Sequence, residues 1–204
     1  MIEARHTFFG KLLANHYSGT RLDKAFHSVK IEGEADDDGS PVLMIANHFS
    51  WWDGFIQYRL NDLYFHRKLH VMMLEEQLRR FMVLNQCGVF SIRKNSRDIV
   101  KSLHYCSELL SVNSNMVLIF PQGKIESMHR GYLSFEKGLS YFLKPGHSRF
   151  QLIFNVNLID FFSEKKPSLT IYFKKFKEAE PAGVIGIEKS FNDFVTDCKF
   201  RQKA

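Results

Sequence analysis

Two stretches of this chain, Val42 to Ala46 (preceded by Pro41) and Val117 to Phe120, are short unbroken runs of apolar residues rich in β-formers. A run of that length with no polar side reads as a strand buried on both faces, as in a parallel sheet covered by helices above and below. Elsewhere the period changes. From Arg97 to Val112 the residues Ile99, Val100, Leu103, Cys106, Leu109 and Leu110 fall on one helical stripe. Further strands are expected over Val29–Glu32, Leu69–Leu74, Gly88–Ile92, Gln151–Val156 and Leu169–Phe173. Helices are expected over Asp53–Leu60, Glu75 to about Asn85, Phe135–Leu143 and Glu188–Phe200. Asp36-Asp37-Asp38-Gly39 and Lys144-Pro145-Gly146 punctuate the pattern as turns. Strands and helices in alternation predict an α/β fold: a single domain with a largely parallel central sheet flanked by helices.

The 204 residues, 45% hydrophobic and 25% charged, suffice for one substantial core. Cys87, Cys106 and Cys198 are odd in number and widely spaced, which favours a reducing compartment over a disulfide framework. Glu3, Arg5 and His6 interrupt the N-terminus, so no signal peptide is expected there. No run approaches the ~20 apolar residues of a spanning helix. Residues 1–28 read as a separate N-terminal amphipathic helical segment ahead of a domain over 29–204. Phe8, Phe9, Leu12, Leu13, His16 and Tyr17 recur at helical spacing, with Arg5, Lys11, Arg21 and Lys24 around them. With a net charge of +6 and 20 phenylalanines, such a helix suits an anionic membrane surface. The same periodicity equally describes a helix packed on the sheet.

Three segments carry chemistry. The first strand ends in Asn47-His48-Phe49-Ser50-Trp51-Trp52-Asp53, which places an imidazole and a carboxylate five residues apart at the carboxyl end of a strand, where open α/β sheets bind ligands. A carboxylate on one ring nitrogen of His48 would fix its tautomer and stabilise the imidazolium formed when the other takes a proton. Taken alone, the pair also describes a hydrogen-bonded loop. In the second segment, Gly88 leads a strand that ends in Arg93-Lys94, cations able to receive a phosphate. In the third, the strand ending at Phe120 breaks into Pro121-Gln122-Gly123, a turn whose glycine lets backbone amides approach a ligand.

In this order and spacing the three segments resemble the lysophospholipid (glycerophospholipid) acyltransferase family, typified by lysophosphatidic acid acyltransferases. The resemblance covers about Phe26 to Phe176. It implies that His48 of the His-x4-Asp block is the general base and Asp53 its orienting carboxylate. It also implies that Arg93, with Gly88 leading its block, binds phosphate, and that Phe120, Pro121, Gln122 and Gly123 help bind the acceptor. The implied reaction moves a fatty acyl chain from an acyl-coenzyme A or acyl carrier protein thioester to a hydroxyl of a lysolipid. It needs no metal and no permanently bound cofactor. The implied setting is the cytoplasmic side of a membrane, with peripheral or monotopic attachment. Two positions depart from the family pattern. Gln122 stands where the family carries an acid, keeping hydrogen-bonding capacity without charge. Ile153-Phe154-Asn155-Val156 stands where a later block carries a proline. These departures leave room for an alternative, a catalytically inactive lipid-binding or scaffold protein of the same fold.

Other candidates fall short. The acidic run at Asp36 lacks the alternating ligands and distal glutamate of a calcium loop. His66 and His70 have no third ligand in sequence for zinc. Ser50 lies outside any nucleophile elbow, and Trp51 and Trp52 suit packing or a pocket wall. The basic residues are dispersed and match no nucleic-acid motif, so no nucleic-acid partner is expected.

Overall fold

The computed structural model describes residues 1–93, 98–142, 149–177 and 183–203. Seven strands form one sheet: β1 (Ser28–Glu34), β2 (Val42–Ala46), β3 (Lys68–Leu74), β4 (Val89–Ile92), β5 (Asn115–Ile119), β6 (Gln151–Asp160) and β7 (Ser168–Lys175). Their spatial order is β1-β7-β6-β2-β5-β3-β4. Every neighbouring pair is parallel except β6 and β7, which form an antiparallel hairpin. The five strands from β6 to β4 therefore point the same way, and their carboxyl ends make one continuous edge.

The two apolar runs pair with each other in the middle of this sheet, Val42 opposite Met116 through Ile45 opposite Ile119. Every residue of β2 and β5 is buried. Alternate side chains serve opposite layers, as the two-residue period of a strand requires. Leu43, Ile45, Val117, Ile119, Phe154 and Val156 share one core with α5 (Ile99–Leu109) and α6 (Val184–Arg201). Val42, Met44, Met116 and Leu118 face the other, with Phe55, Ile56 and Leu60 of α3 (Asp53–Leu60). That second core also takes Leu22 from α2 (Leu22–Ala25) and Phe26 from the turn after it; a π turn joins α2 to the preceding helix α1 (Phe8–His16).

Several boundaries differ from expectation. The helix after β3, α4 (Glu75–Arg80), stops at Phe81, whose backbone leaves the helical region; a 3₁₀ turn over Met82–Gln86 replaces the rest. The stretch near Phe135 gives only a 3₁₀ turn, Lys137–Tyr141, preceded by an extended Glu136 whose amide donates to the Pro121 carbonyl. That tie to the Pro121 turn fixes the backbone in extended form where a helix would have begun. The expected helix start at Arg97, the end at Leu143 and the Lys144-Pro145-Gly146 turn lie outside the described residues. Strand β6 runs four residues past Val156.

The N-terminal segment closes one edge of the sheet. Backbone bonds run from Arg5 to Asn85, Thr7 to Gln86, Gly88 to Arg5 and Ser91 to Ile2, covering β4. Helix α1 buries only Gly10 and Ala14, its small residues, while Phe8, Phe9 and Leu12 are exposed. Among the described residues no helix is long and apolar enough to cross a membrane, and all three cysteines are free and buried.

Candidate active site

His48 leaves the carboxyl end of β2, between the ends of β6 and β5 on the continuous strand edge. The chain there is pinned first by Asn47, whose side-chain amide donates to the Asn157 carbonyl (2.9 Å) and accepts from the Asn157 amide (2.8 Å). This exchange continues the β2–β6 ladder one step beyond its last backbone pair and fixes the direction in which the next residue emerges.

The loop over 49–52 then turns back so that Asp53 opens α3. Its Oδ2 lies 2.6 Å from His48 Nδ1 and accepts the Phe49 and Ser50 amides at 2.8 and 2.9 Å. One oxygen of a fully buried side chain thus gathers the loop and the imidazole together. Burial pushes the Asp53 carboxyl above its usual range, opposed by its bonds to His48 and to the Ser50 and Phe49 amides. With Nδ1 committed to Asp53, Nε2 is the ring nitrogen available to a substrate. The Phe120 ring stacks on the imidazole, centroids 4.2 Å apart and planes 16° from parallel. That contact fixes the ring plane and presents a π face to any imidazolium formed.

The turn after β5 meets His48 from the other side. The Phe120 carbonyl accepts the Gly123 amide at 3.0 Å, and Gly123 takes a φ of 63°, left-handed backbone that favours glycine. Gln122 is buried, and its Oε1 accepts the His48 backbone amide at 2.7 Å. Four residues on, the Glu126 amide donates to the His48 carbonyl at 2.9 Å. The Glu126 carboxylate accepts from Gln122 Nε2 at 3.1 Å. It also pairs with Lys124 and Arg130 at 3.3 and 3.4 Å. The Gln122 bond, followed by those cations, holds the Glu126 carboxyl below its usual range. A narrow recess of about 10 Å³ opens here, lined by His48, Gln122 and Glu126 together with Leu133, Leu158 and Val195.

Arg93 follows β4 at the same edge. Strands β2 and β4 are separated by β5 and β3, a lateral offset of three strand spacings, about 14 Å. The Arg93 guanidinium reaches Glu75 at 2.7 Å and Asp98 at 3.4 Å. Glu75, the first residue of α4, is buried and also takes Arg79 at 2.7 Å, so two guanidiniums share one carboxylate. The Arg93 bond leads in holding the Glu75 carboxyl down to about 2. Lys94 lies outside the described residues.

His48, Asp53, Phe120, Pro121, Gln122 and Gly123 are thus brought together at the ends of β2 and β5, where His48 and Gln122 line the recess, with Arg93 farther along the same edge. Gly88 is not brought there. It precedes β4 at the opposite end of the strand with a φ of 88°, and a Cβ on it would overlap the His6 ring and the Leu69 carbonyl. Its role is close packing of the N-terminal segment. The segment Ile153 to Val156 lies within buried β6, where Asn155 accepts from Gln57 at 2.5 Å and donates to the Tyr172 carbonyl at 3.0 Å. It ties layers together, and Leu158 farther along supplies the recess wall. Sequence reasoning missed Asn47, Glu75 and Glu126. Asn47 and Glu126 stand within or just beyond the first and third blocks, at positions whose meaning depends on partners far away in the chain. His66 ends the turn after α3, whereas His70 is buried within β3. Among the described residues no three His, Cys, Asp or Glu side chains converge as metal ligands.

Comparison with known proteins bears on this arrangement at two levels. No curated protein matches the sequence. Among solved structures, the chain is similar to the crystal structure of the 1-acyl-sn-glycerophosphate (LPA) acyltransferase PlsC from Thermotoga maritima, with a TM-score of 0.58. The identity is 16%, and the match covers 96% of this chain and 83% of that one. The likeness establishes a common fold. The sequence model of the Acyltransferase family matches residues 28–144, more than half of the chain and all three blocks. By that match, this protein belongs to the acyltransferase family.

Proposed function

We propose that this acyltransferase moves a fatty acyl chain from an acyl-coenzyme A or acyl carrier protein thioester to a hydroxyl of a lysophospholipid or related lipid, with His48 as general base. The observation that carries the reading is the 2.6 Å contact between His48 Nδ1 and buried Asp53 at the carboxyl edge of the sheet, which leaves Nε2 for substrate. The acceptor hydroxyl gives its proton to Nε2 as its oxygen attacks the thioester carbonyl. The tetrahedral oxyanion then collapses, the carbon–sulfur bond breaks, and the departing thiolate takes the proton back from the imidazolium. Asp53 keeps Nδ1 protonated and stabilises the cation between the two transfers. The transfer is direct, with the acceptor oxygen as the attacking group and no acyl-enzyme on the path.

Among the described residues, Glu75 and Asp98 pair with Arg93, Arg79, Lys101 and the N-terminal ammonium, so Arg93 supplies a positive site for a phosphate of acceptor or donor. Gln122 and the Gly123 backbone position the acceptor. PlsC from Thermotoga maritima is a 1-acyl-sn-glycerophosphate acyltransferase, which makes 1-acyl-sn-glycerophosphate the first acceptor to test here. The exposed Phe8, Phe9 and Leu12 of α1, beside Lys11, would contact the cytoplasmic surface of a membrane from one side, as a peripheral or monotopic protein. Thiol release from a panel of acyl-coenzyme A and acyl carrier protein donors tests the reading. It should require a lysolipid acceptor and disappear in His48→Ala. Lipid binding without thiol release in folded wild-type protein would instead favour a non-catalytic binder.

A further inference from the structure

Gln122 sits between two groups with opposite demands. On one side the backbone N–H of His48 needs an acceptor, which Oε1 provides at 2.7 Å. On the other the Glu126 carboxylate needs a donor, which Nε2 provides at 3.1 Å. Only an amide satisfies both, because an ionised carboxylate has no hydrogen to give. The carboxylate in turn selects which end of the amide faces His48. Without it the side chain could turn its NH₂ towards the His48 amide, setting donor against donor. The backbone of Glu126 completes the grip by donating to the His48 carbonyl at 2.9 Å. Glu126 keeps its side chain only 9% exposed while pairing with Lys124 and Arg130, so its charge is held at the rim of the recess.

We propose that Glu126 is a positioning residue for the reaction: through Gln122 it fixes the backbone of His48, and the pair 122/126 works as one unit carrying a single negative charge. The proposal rests on His48 being the base. Its consequence is that position 122 cannot take a carboxylate while 126 keeps one. Gln122→Glu would set two carboxylates about 3 Å apart, and such a pair shares a proton rather than ionising twice. With that proton shared, the donor–acceptor pattern is restored. The ratio of Gln122→Glu to wild-type activity should therefore rise as pH falls. Moving the charge instead of doubling it should repair the unit. In the double variant Gln122→Glu/Glu126→Gln, the carboxylate now at position 122 accepts from the His48 amide, and the side-chain amide now at position 126 donates to that carboxylate.

The test measures kcat and KM for thiol release, across pH, for Glu126→Ala, Gln122→Glu, the double variant Gln122→Glu/Glu126→Gln, and His48→Ala, with folding checked by near-UV circular dichroism. Glu126→Ala should lower kcat by about tenfold or more with KM little changed, Gln122→Glu should lower kcat by at least as much, and the double variant should recover kcat to within about threefold of wild type. A double variant no better than Gln122→Glu, a Gln122→Glu ratio independent of pH, or wild-type kcat in Glu126→Ala would each overturn the proposal. Glu126→Ala, near the surface and smaller than the native residue, keeps the test decisive if Gln122→Glu does not fold. His48→Ala separates the two levels. Full activity there removes the base itself, whereas an inactive His48→Ala beside an unaffected Glu126→Ala removes only the positioning unit.

Discussion

At the scale of single residues, Asp53 does two jobs with one oxygen. It holds the loop through the Phe49 and Ser50 amides and holds the imidazole through Nδ1. Asp53→Asn can place its amide oxygen where Oδ2 lies, keeping the acceptor for both amides and for Nδ1, but it has no charge with which to stabilise the imidazolium. The expected outcome is a folded protein whose kcat falls by about 10³-fold or more, checked by steady-state kinetics beside thermal unfolding. His48→Ala should lose about 10²–10⁴-fold in rate, the usual worth of a general base. The His-x4-Asp spacing made this dyad legible in the sequence because both members lie in one short loop. Glu126 was not legible, since nothing about an isolated glutamate reveals that it faces Gln122 and that its backbone bonds to residue 48.

At the scale of elements, the buried strands were readable because a run such as Val42 to Ala46 leaves no polar side for water. Two of the expected helices come out shorter than their apolar pattern suggests, whereas α6 runs longer, from Val184 to Arg201. The apolar residues of 81–86 continue a helical pattern, yet the backbone breaks at Phe81 to carry the chain into β4. The hydrophobic pattern of α1 left its partner undecided between sheet and membrane. The structure turns Gly10 and Ala14 inward and leaves Phe8, Phe9 and Leu12 outside. Gly88 illustrates a residue whose importance was visible but whose purpose was not. Gly88→Ala should cost about 2 kcal/mol or more, from left-handed backbone and overlap with His6 and Leu69, measured by chemical denaturation, with activity per folded molecule retained. Strand β3 carries an acid-sensitive element. His70 is buried, and burial lowers its pKa to about 4 from an ordinary 6.5. A depressed histidine favours the fold in its neutral form, so this stability is complete above pH 6.5 and is lost as pH falls from there towards 4. The loss at pH 4 should be about 3 kcal/mol, and His70→Phe should flatten that part of the pH–stability curve.

At the scale of the whole molecule, the sheet order brings the ends of β2, β5 and β4 to one edge, so that three blocks distant in sequence lie along it; in the proposed reaction they form a single long site. The lateral offset of ~14 Å between β2 and β4 is the distance that a ligand reaching from His48 towards Arg93 would span. The exposed aromatics of α1 give the molecule a face suited to the interface where such ligands reside. Replacing Phe8, Phe9 and Leu12 together by serine should reduce co-sedimentation with anionic vesicles by at least about tenfold while leaving the fold intact, because the buried side of α1 is untouched. The most direct test of the central claim is acceptor-dependent thiol release from acyl-coenzyme A and acyl carrier protein donors, with wild type and His48→Ala side by side. The account predicts release that needs a lysolipid hydroxyl and is lost in the variant; full release by a folded His48→Ala protein would contradict it.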